Sequence, residues 1–343
     1  MDIQMSNHKI DIIVPWVDGG DIKWLEEKNK YDMSGEKNSG NSPVRYRDWG
    51  LMKYFFRGIE KNMPWVNKLY FVTWGHLPDF LKTDNPKLCI IKHSDYIPEE
   101  YLPTFNSSVI ELNYHRIQEL SENFILFNDD FYIVDELSEN AFFRNDVPCD
   151  TLKATTLVNY DLSKYTLHRT FNNMGVINKH FSQKKKPIDK WVNPAYGFKN
   201  SARNLVKFFN ENYSGFYDHH FAVPYRKSLF EKVWEIEGEN LDKSCRNKFR
   251  SPLELSIWLM RYWQLASGEF YPVDVTKNGV YHEFWEKGKN VDEICDSIRN
   301  KEKPMIIVND TLEDATEETF DMCREKITAA LDSVLPDKCS FEK

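Results

Sequence analysis

Much that would identify a chain quickly is missing from these 343 residues. No run approaches the roughly 18 consecutive apolar residues of a membrane-spanning helix. The opening stretch, MDIQMSNHKIDIIVPW, lacks the apolar centre of a secretion signal. Both absences lead to the expectation of a soluble, cytoplasmic protein. The six cysteines (Cys89, Cys149, Cys245, Cys295, Cys323, Cys339) are scattered, with no CxxC pair. Zinc-ligand spacing is therefore absent and a disulfide framework is not expected, so they are read as reduced and mostly structural. A basic surplus is lacking too: the net charge is −8, which argues against a nucleic-acid partner, whose binding draws on a basic surface. The chain also has no GxSxG, no GxxxxGK(S/T) and no GxGxxG. Serine hydrolase, P-loop NTPase and dinucleotide dehydrogenase are poor fits.

What is present suits a folded enzyme-sized body. Apolar residues make up 41% and aromatics 15%, enough for a large core and too much for a disordered chain. Three apolar runs read as strands: IDIIVPWVDGGD (10–21, ending in a Gly-rich turn), KLYFVTWG (68–75) and KLCIIKH (87–93). Helical spacing marks 49–62, and SGEKNSGNSP (34–43) is a polar loop. A helix is predicted over 108–120, then the strand NFILF at 123–127. Strand–helix alternation of this kind implies an α/β fold with a mainly parallel sheet flanked by helices. The rhythm lapses over 140–215, which reads as a largely helical insertion. Residues 1–139 then form the first half of the core and 216–343 the remainder, with the strand PMIIVND (304–310) and a closing helix.

NFILFNDDFYIVDE poses the chemical question. Apolar residues enclose Asp129 and Asp130, and adjacent carboxylates in such a place repel each other unless a cation or protons absorb the charge. Asp18 and Asp310 also stand just beyond predicted strand ends, where parallel sheets bind ligands. Carboxylates gathered on one rim suit Mg²⁺ or Mn²⁺ on a diphosphate; the plainer reading is that Asp favours turns after strands. Within 108–120, Glu111, His115 and Gln118 share one stripe of a helix otherwise apolar nearly all round. That seam is either an acid/base pair facing a cavity or a solvent-facing salt bridge.

In FRSPLELSIW, Ser251-Pro252-Leu253-Glu254 reads as a capping box at a helix start. Arg250 just ahead of it opposes the helix dipole, which makes sense with an anion there. His219 and His220 sit at the start of another predicted helix and suit a base or phosphate contact better than zinc. The basic Lys184–Lys186 is read as a solvated loop, with an anionic acceptor or peripheral contact with a membrane surface as the alternative.

Taken together these segments resemble the Stealth family of sugar-phosphate transferases, which includes bacterial capsular polysaccharide phosphotransferases. IDIIVPWVDGGD is similar to the first family block, with Pro15 where Thr is common. The second block matches from Arg47 to Tyr132, through KYFFRGIEKNMPWVNKLYFVTWG, YLPTFNSSVIELNYHRI and LSENFILFNDD. NMGVINKHF, HHFAVPYRKSLFEKV, Arg250 and Glu254 resemble the third block, where the last position is often Asp, and PMIIVND the fourth.

The resemblance implies a glycosyltransferase-A-like, Rossmann-type core. It further implies transfer of a sugar-1-phosphate from a UDP-sugar (such as UDP-GlcNAc) to a saccharide acceptor hydroxyl, releasing UMP. The family's essential positions fall on Asp18, Arg57, Glu111, Asp129, Asp130, one of His219 or His220, and Arg250. His220 is the favoured histidine. On this reading Asp129 and Asp130 hold Mg²⁺ or Mn²⁺, and Arg250 and Arg57 meet the diphosphate. Asp18, Trp16 and His219 complete the donor side, and His220, Glu111 or the second Asp takes the acceptor's proton. The alternatives are a metal-dependent glycosyltransferase releasing UDP and a non-catalytic nucleotide-sugar-binding protein.

Overall fold

A computed structural model describes residues 9–32, 43–158, 161, 165–181, 187–313 and 315–343. Nearly all of the polar loop, and all of Lys184–Lys186, lie outside these. The apolar run becomes β1 (Ile10–Pro15), followed by α1 (Ile22–Tyr31), whose first turn is capped by Asp21 accepting from the Trp24 amide. Next come α2 (Met52–Asn62), β2 (Leu69–Thr73), β3 (Leu88–Lys92), α3 (Ser107–Leu112), β4 (Asn123–Leu126) and β5 (Phe131–Ile133). Short strands β6 (Phe143–Arg144) and β7 (Val147–Asp150) lead to α4 (Tyr165–His180), α5 (Ile188–Trp191) and α6 (Gly197–Phe208). The remainder is β8 (Val223–Arg226), α7 (Lys227–Cys245), α8 (Trp258–Ser267), β9 (Tyr271–Pro272), β10 (Gly279–Glu283), α9 (Val291–Arg299), β11 (Met305–Asn309) and α10 (Glu317–Val334).

The main sheet has the order β3-β2-β1-β4-β8. Its first four strands are parallel, with Ile12 opposite both Leu69 and Ile125, and β8 is antiparallel to β4. This is the mixed, parallel-rich α/β sheet flanked by helices that the alternation predicts. A second sheet, β10-β11-β5, joins β10 parallel and β5 antiparallel to β11; β6-β7-β9 form a third. Phe55, Phe56, Phe71 and Phe127 are buried where α2 meets the main sheet; each such side chain contributes about 1.5–3 kcal/mol. The opposite face carries α3, α7 and α8, and Ile177 of α4, Trp191 of α5 and Tyr196 just before α6 share its core. The six cysteines are free thiols.

Three local expectations are corrected. The helix predicted over 108–120 stops at Leu112: the Asn113 side chain donates from Nδ2 back to the Val109 carbonyl (2.8 Å), and a 3₁₀ turn, Tyr114–Arg116, follows. Glu111, His115 and Gln118 therefore share no stripe. His115 instead packs on Trp234 (5.6 Å), and burial pushes its imidazole down to about 3. His219 and His220 lead into β8, not a helix; Pro224 is tolerated there because β8 is the edge of the sheet. Lastly, no helix starts after Arg250. Glu254 does accept from the Ser251 amide (3.0 Å), but in a turn, and α8 begins at Trp258.

Candidate active site

The C-terminal ends of the parallel strands share one edge, and the loops leaving it enclose a cavity of about 630 Å³. Trp16 comes from the end of β1, His93 from β3, and Asp129 and Asp130 from β4. The opening of NFILFNDDFYIVDE explains itself in the topology: Asn128–Asp130 is the crossing from one sheet to the next. Phe127 N–H still donates to Ile13 in the main sheet (2.9 Å), while the Asp130 carbonyl already accepts from Val308 in β11 (3.1 Å). A chain held at both ends this way fixes both carboxylates in the cavity.

β8 supplies their partner. Its antiparallel register sets Val223 opposite Leu126, so the segment before β8 lies beside the Asp129–Asp130 turn. His220 Nε2 is 3.3 Å from Asp130 Oδ2, and Asp130 Oδ1 is buried without a protein partner. Burial works against a charged His220, but the Asp130 contact and both carboxylate charges prevail and raise its pKa. Asp129 is exposed where it opens onto the cavity. Desolvation by the protein around it, then the charge of Asp130, and also that of Asp48, push its carboxyl up to about 7. Asp48 is itself raised, first by burial and also by Asp18, against relief from the Gly50 amide. Trp16 Nε1 is buried, has no hydrogen-bond partner by geometry, and lies close enough to Asp48 to favour its ionised form.

Hard anionic oxygens that repel one another, one of them orphaned, fit Mg²⁺ or Mn²⁺. Among the described residues no three His, Cys, Asp or Glu side chains are grouped closely enough to hold an ion alone. Two carboxylates with phosphate oxygens of a ligand are the usual donor set for Mg²⁺.

Arg250 and Glu111 line the same cavity. Arg250 is oriented by a bond from Nη2 to Ser107 Oγ (2.9 Å). Burial pushes the Glu111 carboxyl up to about 7, against the opposing pull of Arg250 and Arg169. Glu254 is fully buried and spent on Asn106 (2.7 Å) and Ser108 (3.1 Å), which makes it a strut under α3.

The sequence-predicted residues thus divide. Asp129, Asp130, His220, Arg250, Glu111 and Trp16 are brought together. Arg57 is not: it is buried on α2 and clasps the C-terminal segment, with Nε and Nη2 on the Glu342 carboxylate (2.7 and 2.9 Å) and Nη1 on the Leu335 carbonyl (2.9 Å). Asp18 shapes the turn after β1, its Oδ1 accepting from Gly20 (2.8 Å) and its amide donating to His76 (2.9 Å). Gly19 is required there, since a Cβ would sit 2.2 Å from the Tyr46 carbonyl. His219 lies in a separate buried network with Asp150 (3.2 Å). Asp310 lines the cavity but is held by Arg47 (2.7 and 2.8 Å) and Trp49 (2.9 Å). Sequence reasoning missed Asp48, Arg47 and His93. Buried His93 is pushed down to about 4 and its Nδ1 has no partner. The available signal was position alone: Arg47 and Asp48 open the second family block.

Comparison with known proteins agrees with this geometry. The model of Stealth protein CR1, conserved region 1, matches residues 8–36, and that of Stealth protein CR2, conserved region 2, matches 45–150. The capsular polysaccharide phosphotransferase WcwK of Streptococcus pneumoniae is 40% identical, over 98% of this chain and 99% of its own. The receptor polysaccharide phosphotransferase WefC of Streptococcus gordonii is 36% identical, over 97% and 99%. For the exopolysaccharide phosphotransferase cps2G of Lactiplantibacillus plantarum the identity is 34%, over 97% and 96%. The cavity carboxylates Asp48, Glu111, Asp129 and Asp130 fall inside the second matched region, and the likeness to these relatives covers nearly the whole chain: this protein belongs to the Stealth family.

Proposed function

We propose that this chain moves a sugar-1-phosphate from a UDP-sugar to a hydroxyl of a saccharide acceptor, releasing UMP, in the synthesis of a capsular or secreted polysaccharide. One observation carries the reading. Six carboxylates (Asp48, Glu111, Asp129, Asp130, Asp310, Glu313) line the cavity against two guanidinium groups, Arg47 and Arg250. Arg47 is already neutralised by Asp310. Such a cavity accepts a diphosphate only together with a divalent cation, and phosphoryl transfer depends on that kind of charge control more than on covalent help. Asp129 and Asp130, with Asp48 beside them, are the residues that would hold Mg²⁺ or Mn²⁺, which when bound neutralises the phosphate charge.

The chain's own groups account for the rest. Arg250 offers a preset guanidinium to the donor phosphates, and Trp16 presents an indole wall for the nucleotide. With His220 Nε2–H donating to Asp130 Oδ2, Nδ1 is left as the basic nitrogen. The acceptor oxygen bonds to the β-phosphorus while its proton passes to His220. The bond from that phosphorus to the bridging oxygen breaks, and its electron pair leaves with UMP. Incubation with UDP-GlcNAc, related UDP-sugars, Mg²⁺ and a saccharide acceptor tests this: UMP and a phosphodiester-linked product are expected. Release of UDP alone would assign the chain to sugar transfer instead, and tight binding without product would leave it a carrier.

A further inference from the structure

The helix α6 is mounted the wrong way round for a surface helix, which ordinarily turns its apolar stripe to the core. At 100° per residue, Leu205, Phe198, Phe209, Ala202 and Val206 form one continuous stripe, the final position just past the helix end. Lys199, Arg203 and Lys207 form the next. Both stripes face outward: Phe198 is 88% exposed, Val206 73%, Phe209 72% and Leu205 42%. The helix is fastened by its third side. Asn204 is fully buried and bonds the carbonyls of Leu152 (2.8 Å) and Trp191 (2.9 Å) and the amide of Ala154 (2.8 Å). Ser201 bonds the Asn193 carbonyl (2.8 Å), and Phe208 packs on Trp191. Secure anchorage through a polar clasp leaves the apolar stripe with no role in holding the fold.

Charge decides what covers it. The chain carries a net −8, yet Gly197–Phe208 holds three basic residues and no acidic one. Burial lowers the pKa of the neighbouring Lys153 ammonium, and the charge of Arg203 close by lowers it further. A second copy of this chain docking symmetrically would set those cations against one another. A surface of anionic headgroups over an acyl layer would accept both stripes at once. We propose that α6 is a membrane-surface helix, with Phe198, Val206 and Phe209 entering the headgroup boundary and Lys199 and Arg203 meeting anionic lipid. The surface works independently of the cavity chemistry, so its test needs no turnover.

Sedimentation of the full chain with vesicles is the measurement. Binding is expected to phosphatidylglycerol-containing vesicles and not to phosphatidylcholine alone, and to weaken with salt. Lys199→Gln with Arg203→Gln should weaken it roughly 30-fold, from about a fivefold factor per basic residue. Phe198→Ser with Phe209→Ser should cost about tenfold or more. Circular dichroism and an unchanged Tm identify variants that remain folded. Failure of the native chain to bind anionic vesicles, or equal binding by both folded double variants, overturns the proposal. A dimer in solution that Phe198→Ser with Phe209→Ser dissolves, without vesicle binding, would give the face to a second copy.

Discussion

His219 and His220 are neighbours in the chain and members of two unlike polar networks. His219 faces Asp150, whose carboxylate is gripped by Arg261 through Nε (2.8 Å) and Nη2 (2.9 Å). Arg261 also donates to the Tyr217 and Thr151 carbonyls (3.0 and 3.2 Å). Burial alone would raise the Asp150 carboxyl, but Arg261 and His219 outweigh it and hold it down at about 2. His220 faces Asp130, and in that network the Asp129 carboxyl is pushed the other way, to about 7. The residue types match, but the His219 and Asp150 side chains are 5% and 1% exposed, whereas those of His220 and Asp130 open to the cavity at 37% and 20%. The pairs also differ in who brings the positive charge. Around Asp150 the fold supplies it permanently; around Asp129 and Asp130 it is left to be delivered. A buried acid with its counter-charge built in is architecture, and a cavity-facing pair of acids without one is a place for a ligand.

Asp130→Asn breaks the comparison most sharply. On the ligand side it should cut transfer about 10³-fold, the scale of losing a group that stabilises transition-state charge. Stability should hold or rise, since a repelling carboxylate is removed. A large fall in Tm with little change in rate would put Asp130 in the structural class beside Asp150. The two histidines sharpen the contrast: His220→Gln should lower kcat about 10²-fold at nearly constant Tm, and His219→Gln should do the reverse.

Arg261→Met is the mirror experiment. It strands Asp150 in a fully buried site, and breaking a buried pair from one side costs about 3–5 kcal/mol. The observable is a large drop in the denaturation midpoint, with the ratio of UMP to product unchanged in whatever fraction stays folded. A mild loss of stability would show that the network is less dependent on its cation than the geometry indicates.

How far the sequence disclosed all this depends on which force set each feature. Apolar runs closing on carboxylates gave β1, β4 and β11 and the Asp129–Asp130 turn, because burial and strand-end chemistry are local signals. β8 was hidden by Pro224, a strand breaker that an edge position excuses. Yet β8 is what carries His220 to Asp130. Nor does any periodicity reveal that Asn113 ends α3 early, or that Arg57 serves Glu342, 285 residues away. Arg250 reached the cavity as expected, but for another reason: Ser107 holds it, and no helix dipole is involved. Long-range pairing is written in three dimensions only, so roles assigned by resemblance failed where a partner lay far along the chain.

Acidity should separate the Asp150 network from the cavity carboxyl Glu111 by sign, with the smallest effect. Asp150 is depressed from 3.8 to about 2 in the folded chain. Its contribution is complete above the unfolded value and is lost as pH falls from about 4 toward 2, amounting to about 2 kcal/mol. Glu111 behaves oppositely. Its carboxyl is raised from 4.5 to about 7 by burial, opposed by Arg250 and Arg169 and aided by Glu254. The protonated form stabilises the fold fully below about 4.5, and that benefit disappears as pH rises through 7. Allowing for water in the cavity, it is on the order of 1–2 kcal/mol. Thermal melts of the ligand-free chain between about pH 3 and pH 8 should therefore show a maximum on the mildly acidic side. Glu111→Gln should make the neutral limb shallower, with Asp129 left to shape the rest, and leave the acid limb alone, while Asp150→Asn should remove the acid limb at a lower overall Tm. If both substitutions altered the same limb, Asp150 and the cavity carboxyl Glu111 would not be opposites, and the contrast in sign between the Asp150 network and the cavity would have to be abandoned.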